Sequence, residues 1–185
     1  MEPYPMFPLF VPLAGKSVVF IGGGAITARR VEKLLAFGPR IQVVSPSLHP
    51  ALHTQAQTGK LHWEPRAYRT GDLAGAALAV AATDDRAVNH AVAMEALERT
   101  IPISVADCHE ESSFYFPAIM RGDGLVIGMV SETGEAHHAV RETAAEIRGI
   151  LNATKDHSGR QPGKSSGCDS STDCNGCHPQ DRPRT

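Results

Sequence analysis

The sequence has no long apolar run and almost no net charge, and each absence excludes a class of protein. Residues 11–21 are interrupted by Pro12, Gly15 and Lys16, so they do not form the roughly 20-residue apolar helix that spans a bilayer. A formal net charge of -2 and an isoelectric point near 6.5 leave no basic field to attract nucleic acid. The N-terminus also lacks the basic region and the unbroken apolar core of a secretory signal. We therefore expect a cytoplasmic protein without a membrane or nucleic-acid partner.

Cysteine is scarce: the 185-residue chain has four, and three of them lie in the region 153–185. In a reducing compartment, cysteines are more often metal ligands or free thiols than disulfides. Four side chains of this region could hold Zn²⁺ tetrahedrally or contribute to an iron–sulfur site: Cys168, Cys174, Cys177 and His178. The last three also match the c-type haem attachment pattern, although that chemistry follows export. Because the region is rich in Ser, Gly, Asp, Lys and Pro, a disordered tail with incidental thiols is the alternative.

Three consecutive glycines are the most informative feature of the chain. Gly22, Gly23 and Gly24 follow an apolar run at 18–21 and precede a helical pattern. Such a turn is typical of dinucleotide binding, because its glycines allow a sharp turn and a close approach of the backbone to a pyrophosphate. The N–H groups that begin the helix, around Ala25 and Ile26, would then face the phosphates. A plain tight turn is the alternative.

The helix after the glycines is predicted to be amphipathic. Ala28, Val31 and Leu35 recur on the face toward the sheet. Four charged residues are expected to face mostly water: Arg29, Arg30, Glu32 and Lys33. A small residue, Thr27 or Ala28, would let the helix pack closely on the preceding strand. Gly38 is placed to cap the end of the helix.

Strands and helices alternate along residues 1–112. Apolar runs of the length of buried parallel strands are separated by helical patterns, with strands at 18–21, 40–44, 61–63, 77–82 and 101–106 and helices around 25–37, 48–57 and after 83–85. This alternation predicts an α/β fold, a Rossmann-like doubly wound parallel sheet. Ser45 and Pro46 end the second strand, where many dinucleotide sites carry an acidic residue for the ribose. That departure leaves the choice between NAD and NADP open.

The pattern changes in residues 113–152. Two apolar strands at 114–120 and 125–130 are joined by a glycine turn, which predicts a β-hairpin. An isolated hairpin is stable only when another element packs on its apolar face. Here that element is either a partner subunit or a helix predicted at 135–151. We therefore expect a small α+β segment that forms a homodimer.

Several motifs occur in a specific order: a lead-in from Tyr4-Pro5 to Gly15-Lys16, the glycine turn with residues 28–32, then 43–46, 81–85 with Asn89, 105–107 and 114–118. Over about residues 4–148, this ordered set resembles the dehydrogenase–chelatase domain of siroheme synthases, the precorrin-2 dehydrogenase / sirohydrochlorin ferrochelatase family. The resemblance implies NAD-dependent oxidation of precorrin-2 to sirohydrochlorin. It also implies a homodimer and, in many members, insertion of ferrous iron, Fe²⁺, to give siroheme.

The resemblance identifies Asp107 as the catalytic aspartate. It follows a predicted strand, at the edge where doubly wound sheets bind ligands. A carboxylate there can accept the proton released during dehydrogenation and the pyrrole protons displaced by a metal. Apart from the family, a turn cap or a pair with His109 is the alternative. Thr83 and Asp84 are expected to line the cofactor cleft, although Asp84 or Asp85 could simply cap the next helix.

The chain departs from the family in its second half. Residues 131–138 lack one glycine and the Ser-Pro of the family's usual loop. His137 and His138 could be metal ligands, but adjacent helical residues point about 100° apart, which favours a surface or interface role. One helix and the tail replace the family's usual C-terminal helical domain, so chelatase activity is less expected than dehydrogenase activity. A non-catalytic, dinucleotide-binding carrier of a tetrapyrrole or metal is the alternative function.

Overall fold

The computed structural model describes residues 6–122, 124–132 and 136–153, and its centre is a five-stranded parallel sheet. The strands are ordered β3-β2-β1-β4-β5, with bounds β1 Ser17–Ile21, β2 Arg40–Val44, β3 Leu61–Glu64, β4 Leu78–Ala81 and β5 Ile103–Val105. The helices that follow β1, β2 and β4 are α1 Ala25–Leu35, α2 Pro50–Gln57 and α3 Arg86–Glu98. The predicted Rossmann-like sheet is confirmed.

The central strand β1 is buried on both faces of the sheet. Because side chains alternate along a strand, Val18 and Phe20 enter one core cluster while Val19 and Ile21 enter another. The first cluster is shared with α1 and α2, and the second with α3. Helices therefore cover the two faces of the sheet and leave its carboxyl edge to loops.

Helix α1 is rotated slightly from the predicted face. Its buried residues are Thr27, Val31 and Leu34, whereas Ala28 and the predicted Leu35 only pack at the margin of the core. Thr27 tolerates burial because its hydroxyl donates a hydrogen bond to the Gly22 carbonyl at 2.7 Å. The small residue that packs helix on strand is therefore Thr27. Beyond α1, Gly38 has a φ of 68° and its N–H donates to the Leu35 carbonyl, as a helix-ending glycine does.

The prediction that Arg30 faces water is wrong. Its guanidinium carbon lies 4.6 Å from the ring centre of Phe116, a cation–π arrangement. Burial, together with the charge of Arg29, lowers the pKa of Arg30 to about 10. The reason is tertiary: the chain after β5 returns across α1, which a helical pattern alone does not reveal.

The hairpin is shorter than predicted. Strands β6 (Ala118–Gly122) and β7 (Leu125–Met129) pair antiparallel. The predicted start at residue 114 is wrong, because Phe114 and Phe116 instead pack against the core of the sheet. Helix α4 (His137–Ala153) covers the hairpin through a small core that contains Met120, Ala144 and Leu151. Among the described helices, none combines the length and the apolar character needed to cross a membrane.

Candidate cofactor and active site

The strand order of the sheet reverses direction between β1 and β4, and several loops meet beside this point. The Gly22 N–H donates to the Val44 carbonyl at 2.9 Å, and the Ala82 N–H donates to the Ile21 carbonyl at 2.8 Å. On the β5 side, the Ala106 N–H donates to the Ala81 carbonyl at 2.8 Å. In doubly wound sheets, ligands bind in the crevice at this switch point. The fold thus places the residues predicted for the cofactor and Asp107 along one edge.

The three glycines of the turn meet different surroundings. Gly22 has a φ of +106°, and a Cβ atom there would lie 2.2 Å from the Ala82 carbonyl oxygen. A Cβ on Gly23 would lie 2.3 Å from the Ser47 carbonyl oxygen. Gly24 is exposed, and a Cβ there would meet nothing within 4 Å. Gly22 and Gly23 therefore allow neighbouring loops to approach, while Gly24 faces open space.

Helix α1 starts at this open position. Gly24 is the N-cap residue and has no side chain to cap the helix, and the first turn contains no acidic residue. Ala28 is the first residue whose N–H donates a hydrogen bond within the helix, to the Gly24 carbonyl. The N–H groups of Ala25 and Ile26, both exposed residues, come before it and have no acceptor within the helix. A helix start of this kind favours an anion, such as a phosphate, through its N–H groups and dipole.

Ser45 and Pro46 lie beside the glycine turn. Ser45 is buried, and its carbonyl accepts a hydrogen bond from the Trp63 indole N–H at 3.0 Å. Its Cβ and Oγ atoms are 3.0 Å from the position that a Gly23 Cβ would occupy. Pro46 is exposed. Ser45 thus packs against the glycine turn, while the neighbouring Pro46 is exposed.

Thr83 is held in place by a residue that the sequence analysis did not place in the site. Asn89 is fully buried in α3, and its amide oxygen accepts hydrogen bonds from the Thr83 N–H at 3.0 Å and the Thr83 hydroxyl at 2.8 Å. Its amide nitrogen donates to the Thr83 carbonyl at 3.0 Å. The sequence does contain one signal for this contact. An asparagine on the buried face of an amphipathic helix indicates a polar partner nearby, because buried amides form hydrogen bonds.

The residues that follow Thr83 have separate positions. Asp85 caps α3, since its carboxylate accepts hydrogen bonds from the Ala87 N–H at 2.8 Å and the Val88 N–H at 3.3 Å. Asp84 is exposed. The structure thus selects Asp85 for the cap and leaves Asp84 as a candidate for the cofactor cleft.

Asp107 follows β5 at the carboxyl edge of the sheet, with 37% of its side chain exposed. Its ionic partner among the described residues is Arg86, whose Nη1 lies 3.6 Å from Asp107 Oδ1. His109 does not take this role; its ring stacks on Tyr115 with 5.2 Å between centroids. The alternative of an Asp107–His109 pair is therefore wrong, and the carboxylate is accessible beside a guanidinium.

A second acidic residue anchors the same arginine. Arg86 Nη2 donates to Glu111, and His90 Nδ1 lies 2.8 Å from the same carboxylate oxygen, Oε1. Hydrogen bonds from Arg86 and His90 hold the pKa of Glu111 below its ordinary value, and Glu111 raises the pKa of Arg86. Arg86 and Glu111 are not predictable as partners from the sequence, because 25 residues separate them and only the fold brings them together.

The candidate metal ligands are not brought together in the described structure. Cys168, Cys174, Cys177 and His178 lie outside the described residues. Within ranges 6–122, 124–132 and 136–153, no group of three His, Cys, Asp or Glu side chains is arranged to hold a metal ion. His138 is exposed and lies 3.2 Å from Glu142, one helical turn away, while the side chain of His137 lies outside the described part. A surface position for His138 agrees with the predicted geometry of adjacent helical residues.

The chain is similar to several known proteins. A family model described as putative NAD(P)-binding matches residues 9–118. A probable multifunctional siroheme biosynthesis protein HemA of Ruminiclostridium josui is 44% identical over 151 residues, which are 82% of this chain and 29% of that protein. Siroheme synthase 1 of Serratia proteamaculans is 36% identical over 147 residues, 80% of this chain and 31% of that protein. The chain spans about 30% of the length of these relatives.

A solved structure supports the fold. It is that of SirC, precorrin-2 dehydrogenase, which superposes with a TM-score of 0.66 at 23% identity and covers 81% of this chain and 76% of that one. The resemblance to siroheme synthases that the sequence motifs indicated is confirmed by the relatives. The family match spans the glycine turn, Thr83 and Asp107. The chain belongs to this NAD(P)-binding family.

Proposed function

We propose that this protein oxidises precorrin-2 to sirohydrochlorin, with NAD as the hydride acceptor, in siroheme biosynthesis. The observation that carries the proposal is the placement of an accessible carboxylate, Asp107, on the same sheet edge as an open glycine turn. The siroheme synthase relatives, matched over about four-fifths of this chain, support the substrate. The proposed compartment is the cytoplasm.

The residues at the switch point fit a dinucleotide. Open space at Gly24 and the uncapped start of α1 leave room and N–H donors for a pyrophosphate. We assign the cofactor to one set of residues: Gly22, Gly23, Gly24, Ala25, Ile26, Ser45, Pro46, Thr83 and Asp84. When bound, the nicotinamide supplies a hydride acceptor.

The oxidation removes two hydrogens from the substrate, and the protein has to take one of them as a proton. A bound nicotinamide would accept one hydrogen as a hydride, and the other would pass as a proton to a base of the protein. Asp107 is assigned this role, since its carboxylate is accessible at the edge where the cofactor would lie. Its ionic partner among the described residues, Arg86, lies 3.6 Å away and leaves the carboxylate accessible.

The enzyme and the carrier hypotheses are separated by one incubation. Protein, precorrin-2 and NAD are combined without oxygen, and sirohydrochlorin formation is followed by absorbance, with a parallel incubation that contains NADP. If the protein is an enzyme, each protein chain forms many molecules of sirohydrochlorin. A carrier of tetrapyrrole or metal binds its ligand without turnover. Adding Fe²⁺ as a second substrate after oxidation tests whether siroheme also forms.

We also propose a homodimer that uses the exposed side of the hairpin. Helix α4 packs on the side of the hairpin that carries Met120 and Ile127. Because side chains alternate along a strand, the other side carries Val126 and Val130, each 40% exposed, and the partly exposed Ile119 of β6. Adjacent apolar side chains of this kind mark an interaction surface, and a second copy satisfies them by a symmetric contact.

The dimer prediction is tested by sedimentation at micromolar concentration. The wild-type protein is expected to sediment as a dimer, and the double variant Val126→Asp, Val130→Asp as a monomer. Leu97→Asp is the matched control, because Leu97 is 72% exposed on α3 and away from the hairpin. A monomeric wild type, or an unchanged dimer in the double variant, contradicts the assignment.

Deletion of residues 160–185 is expected to leave dehydrogenase activity within about twofold of wild type, because the assigned cofactor and catalytic residues all lie upstream. The same deletion tests the tail as a metal site. Bound zinc and iron are measured by elemental analysis in both purified proteins. Lower metal content in the truncated protein supports the cysteine site, and equal content supports a tail with incidental thiols.

A further inference from the structure

The neighbourhood of Asp107 contains a charged network that the proposed reaction does not by itself require. Asp107 follows the end of β5, and Arg86 is the first residue of α3 at the same edge of the sheet. Arg86 uses its two terminal nitrogens differently: Nη2 donates a hydrogen bond to Glu111, while Nη1 lies 3.6 Å from Asp107 Oδ1. His90, one turn later in α3, contacts the same Glu111 oxygen, Oε1, through its Nδ1 atom at 2.8 Å.

The two contacts of Arg86 have different physical consequences. A separation of 3.6 Å exceeds the usual range for a hydrogen bond, and both side chains are partly exposed, so the attraction between Arg86 and Asp107 is modest. The contact with Glu111 is a direct charge-assisted hydrogen bond, the stronger type. Glu111 is also the less exposed of the two carboxylates, at 22% against 37% for Asp107. Arg86 is therefore anchored at Glu111.

Resting on the proposed function, in which Asp107 is the base, we propose that Arg86 and Glu111 are positioning residues for Asp107. Glu111 holds the guanidinium beside the Asp107 carboxylate without a direct hydrogen bond between Arg86 and Asp107. The Asp107 oxygens thereby stay available for the substrate proton. If Arg86 closed on Asp107, a direct hydrogen bond would stabilise the carboxylate further and weaken it as a base.

The charged and titratable groups near Asp107 come from α3 and from the chain after β5: Arg86, His90, Cys108, His109, Glu110 and Glu111. Those outside the Arg86–Glu111–His90 network have contacts of their own. Cys108 donates to Glu110 at 3.3 Å, and His109 stacks on Tyr115. Glu110 therefore has the same charge as Glu111 and is its neighbour in sequence, but it does not hold Arg86. It provides a matched control.

Two variants should move the acid limb of the kcat/KM profile in opposite directions. Arg86→Met removes the countercharge, so the limb is expected to shift to higher pH. Glu111→Gln leaves Asp107 as the stronger partner for Arg86, so the limb shifts to lower pH and kcat falls by about three- to tenfold, as for a weaker base. Glu110→Gln is expected to keep the wild-type profile. NAD affinity and circular dichroism verify that each variant is folded.

Opposite shifts support the positioning role, because a general loss of structure would move both variants in the same direction. Shifts in one direction, or unshifted limbs in both variants, overturn it. The carbon-13 NMR titration of the Asp107 carboxyl gives the same comparison without turnover, with the same outcomes expected. Asp107→Asn separates the two proposals. If that variant keeps normal turnover, the assigned base and this inference both fail; if it loses turnover while the limbs stay fixed, only this inference fails.

Discussion

Replacing Asp107 by alanine is expected to lower precorrin-2 turnover by about 10²- to 10⁴-fold, the usual contribution of a general base. NAD affinity should stay within about twofold of wild type, since the cofactor is assigned to the glycine turn and the start of α1, which other loops support. The fold should also persist, because Asp107 is partly exposed and its one described ionic contact, to Arg86, is long.

Asp107→Asn tests the same role with almost no change in shape. An amide does not accept the proton, so this variant should lose nearly as much turnover as Asp107→Ala. The matched control is Glu110→Gln, which removes a carboxylate from the same segment and should retain activity. Near-normal oxidation by a folded, NAD-binding Asp107→Ala protein would remove this carboxylate from the mechanism.

A valine at position 24 is expected to weaken NAD binding by about 100-fold or more, which corresponds to about 2.8 kcal/mol. The Gly24 position has a φ of -81° and open space around it, so the fold accepts a side chain there. The new methyl groups would occupy the space assigned to the pyrophosphate. Titration calorimetry measures the affinity, and the unfolding midpoint measures stability.

Gly22 provides the contrast to Gly24. An alanine there would place its Cβ 2.2 Å from the Ala82 carbonyl oxygen, in a backbone conformation that disfavours a side chain. Gly22→Ala should therefore lower the unfolding midpoint strongly, whereas Gly24→Val, at a helix N-cap position with open space around it, should lower it much less. Wild-type NAD affinity in a folded Gly24→Val protein would move the cofactor away from the glycine turn.

The features predicted well from the sequence are local ones. The glycine turn, the alternation of strands with helices and the amphipathic character of α1 are read within windows of a few residues. For the same reason the sequence treats Gly22 and Gly24 alike. Only the contact of Gly22 with Ala82, about 60 residues later, distinguishes a glycine needed for packing from one that faces a ligand.

The features that the sequence did not predict depend on contacts between distant segments. Phe116 looks like part of a strand, but the return of the chain across α1 places it against Arg30. Arg86 looks like an ordinary exposed helical residue until β5 brings Asp107 and Glu111 beside it. Pairwise charge networks of this kind leave no periodic signal, so they become visible only in the folded chain.

The most direct test of the proposed function is the stoichiometry of the anaerobic reaction between precorrin-2 and NAD. NADH and sirohydrochlorin are measured together by absorbance while wild-type and Asp107→Asn proteins act on the same substrate preparation. The assigned chemistry predicts one NADH for each sirohydrochlorin with wild type, over many turnovers, and a rate lower by about 10²-fold or more with Asp107→Asn. Sirohydrochlorin formation without NADH, or no turnover by a folded wild-type protein that binds NAD, would contradict the assignment.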